Sequence, residues 1–213
     1  MNSRYSICNE VCEFSRRHSM SAKNIEELIS QQTLPEITQS ELVAQSRLFK
    51  IEQIDLTFSN GEKRIYERMK GSGRGAVMVV PVVNEHEFIL VSEYAAGTHS
   101  YELGFPKGLI DPGESPEQAA NRELQEEIGF GAKRFVKLKT LTTAPSYFSA
   151  QMHIYLAFDL YESVLPGDEP EPIQLMNWSW SKASELITRA DFSEARSVTA
   201  LFMAQEYLNK RST

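Results

Sequence analysis

The stretch Gly108–Phe130, GLIDPGESPEQAANRELQEEIGF, decides how the rest of the 213-residue chain is read. Five glutamates (Glu114, Glu117, Glu123, Glu126 and Glu127) and Arg122 gather around one predicted helix, far more charge than a buried surface needs. The helix is bounded by its caps. Ser115 is a good N-cap, Pro116 suits the first helical position, Gln118 completes a Ser-x-x-Gln capping box, and Gly129 supplies the stop. On that helix Glu123, Glu126 and Glu127 crowd one edge at helical neighbour spacings. Like charges so placed repel. The natural compensation is a hard divalent cation with oxygen ligands, Mg²⁺ or Mn²⁺ carried alongside a phosphate substrate. Ala120, Leu124 and Ile128 form an adjacent apolar stripe that docks the helix on a core, so the acids face a cleft.

Composition limits the company this site keeps. A formal net charge of -7, with no helix face gathering Lys and Arg, argues against nucleic acid and other long polyanions as partners. Cys8 and Cys12, with His18 nearby, do not make a zinc set. No apolar run reaches membrane-spanning length and no hydrophobic signal core opens the chain, so a cytoplasmic protein with reduced thiols is expected.

Residues 1–40 are polar and poorly periodic, broken by Pro35, and read as a poorly ordered extension with at most one short helix. Met20, followed by SAKNIEELI, is an equally natural start. Residues 41–70 read as a hairpin: Phe49 and Ile51, a phase slip near Gln53, then Ile54, Leu56 and Phe58, a Ser59–Glu62 turn, and a returning strand from Arg64 to Met69. A two-stranded ribbon is marginal alone, so this one packs on its own domain or on a second subunit. Residues 71–213 form the main domain. Its first strand is the continuous apolar run Ala76–Val83, entered through glycines that flank Arg74, a candidate phosphate or ribose contact.

Glu87–Tyr94 is the next strand, and Tyr101–Gly108 a short one feeding the charged stretch; Tyr94 and Glu102 are candidate pocket residues on these two. His86 and His99 read as surface histidines. Beyond the helix, Arg134–Thr142 and Gln151–Leu160 read as strands joined by a loop in which Pro145, Ser146 and Tyr147 suit a base and a ribose. Leu165–Pro172 is an acidic, proline-stiffened loop able to hold a general base rigidly. Helices from about Ser181 to Thr188 and from about Phe192 to Leu208 close the chain, the last burying Val198, Leu201, Phe202 and Tyr207.

Gly108, Glu114 and the run Arg122-Glu123-Leu124-Gln125-Glu126-Glu127-Ile128-Gly129-Phe130 together resemble the whole signature of the Nudix hydrolase family, with no position departing. At ordinary residue frequencies a chance match is on the order of one in a hundred million per start point, which makes coincidence a poor explanation. The resemblance implies an α/β fold, the Nudix-type α/β/α sandwich with a mixed sheet, here with an N-terminal antiparallel β-hairpin added. It implies Glu123, Glu126, Glu127 and the backbone carbonyl of Lys107 as metal ligands, Arg122 as the residue that orients a signature carboxylate, and Glu114 as support for the loop.

Features outside the signature narrow the resemblance. Pro145 resembles the proline marker of the family's ADP-ribose pyrophosphatases, and the predicted hairpin resembles their dimerisation strands, which implies a homodimer. By the same likeness Glu169 is the candidate general base and Glu171 a supporting ligand, with Glu126 as the rival base. The implied reaction is attack of water on the pyrophosphate of ADP-linked compounds such as ADP-ribose, NADH or diadenosine triphosphate, releasing AMP. One departure matters: Ala95 and Ala96 stand where ADP-ribose enzymes commonly carry an Arg, which favours a looser pocket over strict ADP-ribose specificity. The alternative class is a non-catalytic nucleotide sensor, and the intact signature speaks against it.

Overall fold

The computed structural model describes residues 26–27, 29–71 and 73–211. Cys8, Cys12, His18 and the alternative start at Met20 lie outside the described residues. The chain divides into two compact units, Met1–Glu41 with Gln53–Tyr66, and Leu42–Glu52 with Glu67–Thr213.

Strands β1 (Glu36–Gln45), β2 (Lys50–Thr57) and β3 (Lys63–Met69) form an N-terminal antiparallel sheet in the order β1-β2-β3. The expected two-stranded hairpin therefore gains a third strand. β1 is exposed along its whole length, so no periodic burial marks it in the sequence. In the first unit the β2–β3 turn closes as its residues dictate. The Phe58 amide donates to the Glu62 carbonyl at 2.9 Å, the Asn60 side chain accepts from the Glu62 amide at 3.0 Å, and Gly61 takes a left-handed φ of 84°. The expected phase slip at Gln53 does not occur. β2 alternates without interruption, and Glu52 takes a buried place ahead of Ile54 and Leu56. In the second unit that carboxylate accepts from Arg68 at 2.9 Å and from Lys70 at 2.8 Å, the pairing that a buried charge requires.

The second unit holds the main domain. A mixed four-stranded sheet runs β7-β4-β9-β8, built from β4 (Ala76–Pro81), β7 (Lys107–Leu109), β8 (Phe130–Thr142) and β9 (Gln151–Glu162). Only the β4–β9 pairing is parallel. An antiparallel three-stranded sheet, β10-β5-β6, uses β5 (Glu87–Ala95), β6 (Ser100–Gly104) and β10 (Gln174–Ser179). Helix α1 (Pro116–Glu127) carries the charged stretch; a 3₁₀ turn at Trp180–Lys182, α2 (Ala183–Ile187) and α3 (Ala195–Asn209) close the chain.

β4 reads as an unbroken apolar run because both of its faces are covered. Val77 and Val79 pack into a cluster with Ala119, Ala120, Leu124 and Ile128 around α1. Met78 and Val80 pack the other way, with Leu186, Phe192, Ala200 and Leu201 on the side of α2 and α3. Two cores on opposite faces of the strands make the α/β/α arrangement. α3 keeps Leu201, Val198 and Tyr207 of its expected inner face against the core and departs from expectation at Phe202. It begins at Ala195, capped by the Glu194 carboxylate on the Arg196 and Ser197 amides, and it buries Ser197, Ala200, Leu201 and Ala204, while Phe202 is 53% exposed. Small residues let the helix lie close to the sheet, so its small-residue stripe, not its largest apolar side chain, faces inward.

Candidate active site

α1 begins as its sequence dictates. The Ser115 hydroxyl accepts from the Gln118 amide at 3.2 Å, and the Gln118 side chain accepts from the Ser115 amide at 2.8 Å. Ahead of it the Asp111 amide donates to Glu114 Oε2 at 3.0 Å, tightening the turn that leads out of β7.

Arg122 organises the acids. Its Nε and Nη2 donate to the two oxygens of Glu114 at 2.9 and 3.1 Å, Nη1 to Glu123 at 2.7 Å and Glu126 at 2.8 Å, and Nη2 also to the Leu109 carbonyl at 2.8 Å. One cation thus holds three carboxylates and the carbonyl end of β7. Hydrogen bonding to Arg122 keeps Glu114 below the usual carboxylate range. Burial pushes Glu123 the other way, with Arg122 opposing it.

The Glu127 side chain is buried, Oε1 accepts from the Lys107 amide at 3.1 Å, and Oε2 has no hydrogen-bond partner. Burial raises this carboxyl to about 8. A buried, unmatched carboxylate oxygen costs free energy unless a cation or a proton meets it. Gly108 adds a second cue: a Cβ there would fall inside the Glu123 carboxylate, so the backbone at this position is a cradle for that side chain. Among the described residues no three acidic, His or Cys side chains converge as they stand to hold an ion. Arg122 instead holds Glu123 and Glu126. The orphaned Glu127 oxygen, the Gly108 cradle and an all-oxygen donor set on one helix edge fit a hard divalent cation.

A cavity of about 390 Å³ is lined by Ser92, Glu93, Tyr94, Tyr101, Glu169 and Glu171, among others. Glu169 is close enough to raise the proton affinity of Glu123, though less than burial does. Its carboxylate folds over Gly167, where a side chain would displace it. The Tyr101 hydroxyl donates to Glu171, and Lys107 Nζ pairs with Glu93. A second cleft, of about 250 Å³, is lined by Gly73, Arg74, Leu109, Ser149 and His153. Arg74 sits 3.8 Å from Asp111 there.

The expected site residues therefore separate into groups. Tyr94, Glu169 and Glu171 share the larger cavity, and Arg74 lines the second cleft. Pro145, Ser146 and Tyr147 line neither; their loop bonds back on Ala144, and the Tyr147 carbonyl accepts from the Met69 amide at 2.8 Å. Glu102 is held by Ser100 at 2.9 Å, Ser193 at 3.1 Å and Thr98 at 3.3 Å, which tie β6 to the segment before α3. Tyr101, Glu93 and the Lys107 side chain enter the site unannounced. Tyr94 and Tyr101 face each other across β5 and β6, and only the pairing register reveals it.

Comparison with known proteins places the chain in a family. Residues 35–68 match the model of the NudE-type Nudix hydrolase N-terminal domain, and residues 73–202 match that of the NUDIX domain. The chain is 56% identical to the ADP compounds hydrolase NudE of Escherichia coli (strain K12) over 174 residues, which is 82% of this chain and 93% of that protein. It is 29% identical to an ADP-ribose pyrophosphatase of Bacillus subtilis (strain 168), covering 75% of this chain and 89% of the relative. A crystal structure of an ADP compounds hydrolase superposes with a TM-score of 0.81 at 54% identity, covering 85% of this chain and 97% of the other.

Proposed function

This chain belongs to the Nudix hydrolase family, and from that premise we propose that it hydrolyses the pyrophosphate bond of ADP-linked compounds, ADP-ribose, NADH and diadenosine triphosphate among them, releasing AMP. The observation that carries the chemistry is the buried Glu127 oxygen without a partner, beside the Glu123 and Glu126 carboxylates that Arg122 gathers. The substrate class rests on likeness to relatives named for ADP compounds and ADP-ribose.

Nudix hydrolases generally use divalent metal ions, and Mg²⁺ or Mn²⁺ is the proposed cofactor here. Glu123, Glu126, Glu127 and the Lys107 carbonyl would hold it, with Glu171 as a further ligand from the opposite loop. When bound, the cation supplies Lewis acidity to phosphoryl oxygens and offsets charge in the transition state. The protein supplies the rest. Glu169 takes a proton from the attacking water, the role that Glu126 would fill in the rival assignment. Arg122 keeps Glu123 and Glu126 on one edge, and Glu127 is held by the Lys107 amide. Tyr94 and Arg74 line the two clefts and would contact the substrate, with Pro145, Ser146, Tyr147 and Glu102 as outlying contacts.

The N-terminal sheet is the proposed dimer interface. Ile37 on β1 and Ile65 and Tyr66 on β3 leave apolar surface exposed, which a second copy of the chain would cover. No helix among the described residues is long and apolar enough to cross a membrane, and the proposed location is the cytoplasm.

The test is turnover of a panel containing ADP-ribose, NADH, diadenosine triphosphate, dATP and 5′-triphosphorylated RNA, with Mg²⁺, Mn²⁺ or EDTA. The ADP-linked compounds should be cleaved fastest. A preference for dATP or RNA ends would overturn the substrate class, turnover of ADP-ribose alone would narrow it to a strict ADP-ribose pyrophosphatase, and binding without turnover would make the protein a sensor.

A further inference from the structure

The loop that carries Glu169 is tied at both ends. On one side the Ser163 amide donates to the Gly129 carbonyl at 3.0 Å, the Leu165 amide to the Gln125 carbonyl at 3.1 Å, and the Gln125 side chain to the Ser163 hydroxyl at 2.6 Å. On the other side Gln174 enters β10 opposite Ser92 of β5. Between these anchors, among the described residues, Pro166–Ile173 makes no backbone hydrogen bond, and three prolines remove donors from it. A single side-chain hydrogen bond reaches into the span: the Tyr101 hydroxyl donates to Glu171, two residues from Glu169.

Tyr101 is itself braced. Its ring meets that of Tyr94 edge-on at 5.9 Å, and the Tyr94 hydroxyl is bonded to His99 Nδ1 at 2.8 Å. His99 holds a left-handed φ of 53°, uncommon outside glycine, at the tip of the β5–β6 turn. A braced phenol on a paired strand is a fixed point, whereas an unbonded loop is not.

We infer that Tyr101 is a positioning residue: its hydroxyl, acting through Glu171, holds the loop of residues 166–173 so that the Glu169 carboxylate lies over Gly167, near the Glu126 carbonyl of α1. The inference rests on the assignment of Glu169 as general base. Glu171 is turned to Tyr101, and Glu169, two residues before it, lies over Gly167 toward α1.

The test is a double-mutant cycle on Tyr101→Phe and Glu169→Gln, read as kcat and KM for ADP-ribose with saturating Mg²⁺. Tyr101 is 56% exposed, so removing its hydroxyl leaves the packing intact. A lost hydrogen bond to a charged group should lower kcat about ten- to a hundredfold in Tyr101→Phe, with KM little changed. The double variant should be no slower than Glu169→Gln alone, and the Mg²⁺ requirement of Tyr101→Phe should stay that of the wild type, because the loop acts through the Glu169 carboxylate; a raised Mg²⁺ requirement in Tyr101→Phe would place the effect at Glu171 as a metal ligand and overturn the positioning role. An unaltered kcat in Tyr101→Phe, or a double variant slowed by the product of the two single effects, overturns the positioning role while leaving Glu169 as base. Full turnover in Glu169→Gln removes the base assignment and the inference with it.

Discussion

The Arg122 guanidinium grips Glu114 through two hydrogen bonds, Nε to Oε1 at 2.9 Å and Nη2 to Oε2 at 3.1 Å. That pairing locks the turn before α1 to the helix eight residues on and leaves Nη1 for Glu123 and Glu126. Arg122→Ala should therefore destabilise the metal-free protein by about 3 kcal/mol, since three partly buried carboxylates lose their counter-charge together. Arg122→Lys should recover only part of this, because an ammonium cannot reproduce the planar fork. Urea denaturation in EDTA measures both, and equal stability of wild type and Arg122→Ala would deny the residue its organising role.

Glu127 sets a pH dependence. Its folded-state carboxyl lies at about 8 against an ordinary 4.5. Below the ordinary value both folded and unfolded states are protonated and the contribution to stability is complete. Between the two values the unfolded chain ionises and the folded one does not, so stability falls as pH rises. Melting temperatures in EDTA should decline from about pH 5 to about pH 8, and less steeply in Glu127→Gln, whose neutral amide has nothing to titrate. Parallel profiles for the two proteins would place the titration elsewhere.

Gly108→Ala tests the cradle. The added methyl collides with the Glu123 carboxylate and must push it off its place. A misplacement of that size should cost about a hundredfold in metal-dependent turnover. The cooperative unfolding of the protein should remain. Wild-type activity in Gly108→Ala would show that Glu123 is free to sit elsewhere.

Assembly through the N-terminal sheet predicts a dimer mass in light scattering that falls to the monomer in Ile65→Asp, whose side chain is 65% exposed and leaves no core position disturbed. A monomeric wild type would remove the interface.

Helix α1 could be read from the sequence because its information is local. Ser115, Pro116 and Gln118 cap it, and the spacing of Glu123, Glu126 and Glu127 follows from helix geometry alone. β4 was equally plain, as a run that both cores claim. What escaped depended on tertiary partners. β1 has no buried face to print a pattern on the sequence, and Glu52 takes an inward place with Arg68 and Lys70 converging on it. α3 buries Leu201 as its hydrophobicity indicates, but it fills the rest of its inner face with Ala200 and Ala204 and turns Phe202 out. Tyr101 and Glu171 lie far apart in the chain, and no spacing rule connects them.

The most direct measurement is AMP release from ADP-ribose as a function of Mg²⁺ concentration, in wild type and in Glu127→Gln. AMP and ribose 5-phosphate should appear in equal amounts, only with the cation present, and Glu127→Gln should lose about a hundredfold or more of the rate while melting as a folded protein. AMP formed at the wild-type rate in EDTA, or by Glu127→Gln, would contradict a reaction driven from the α1 carboxylates.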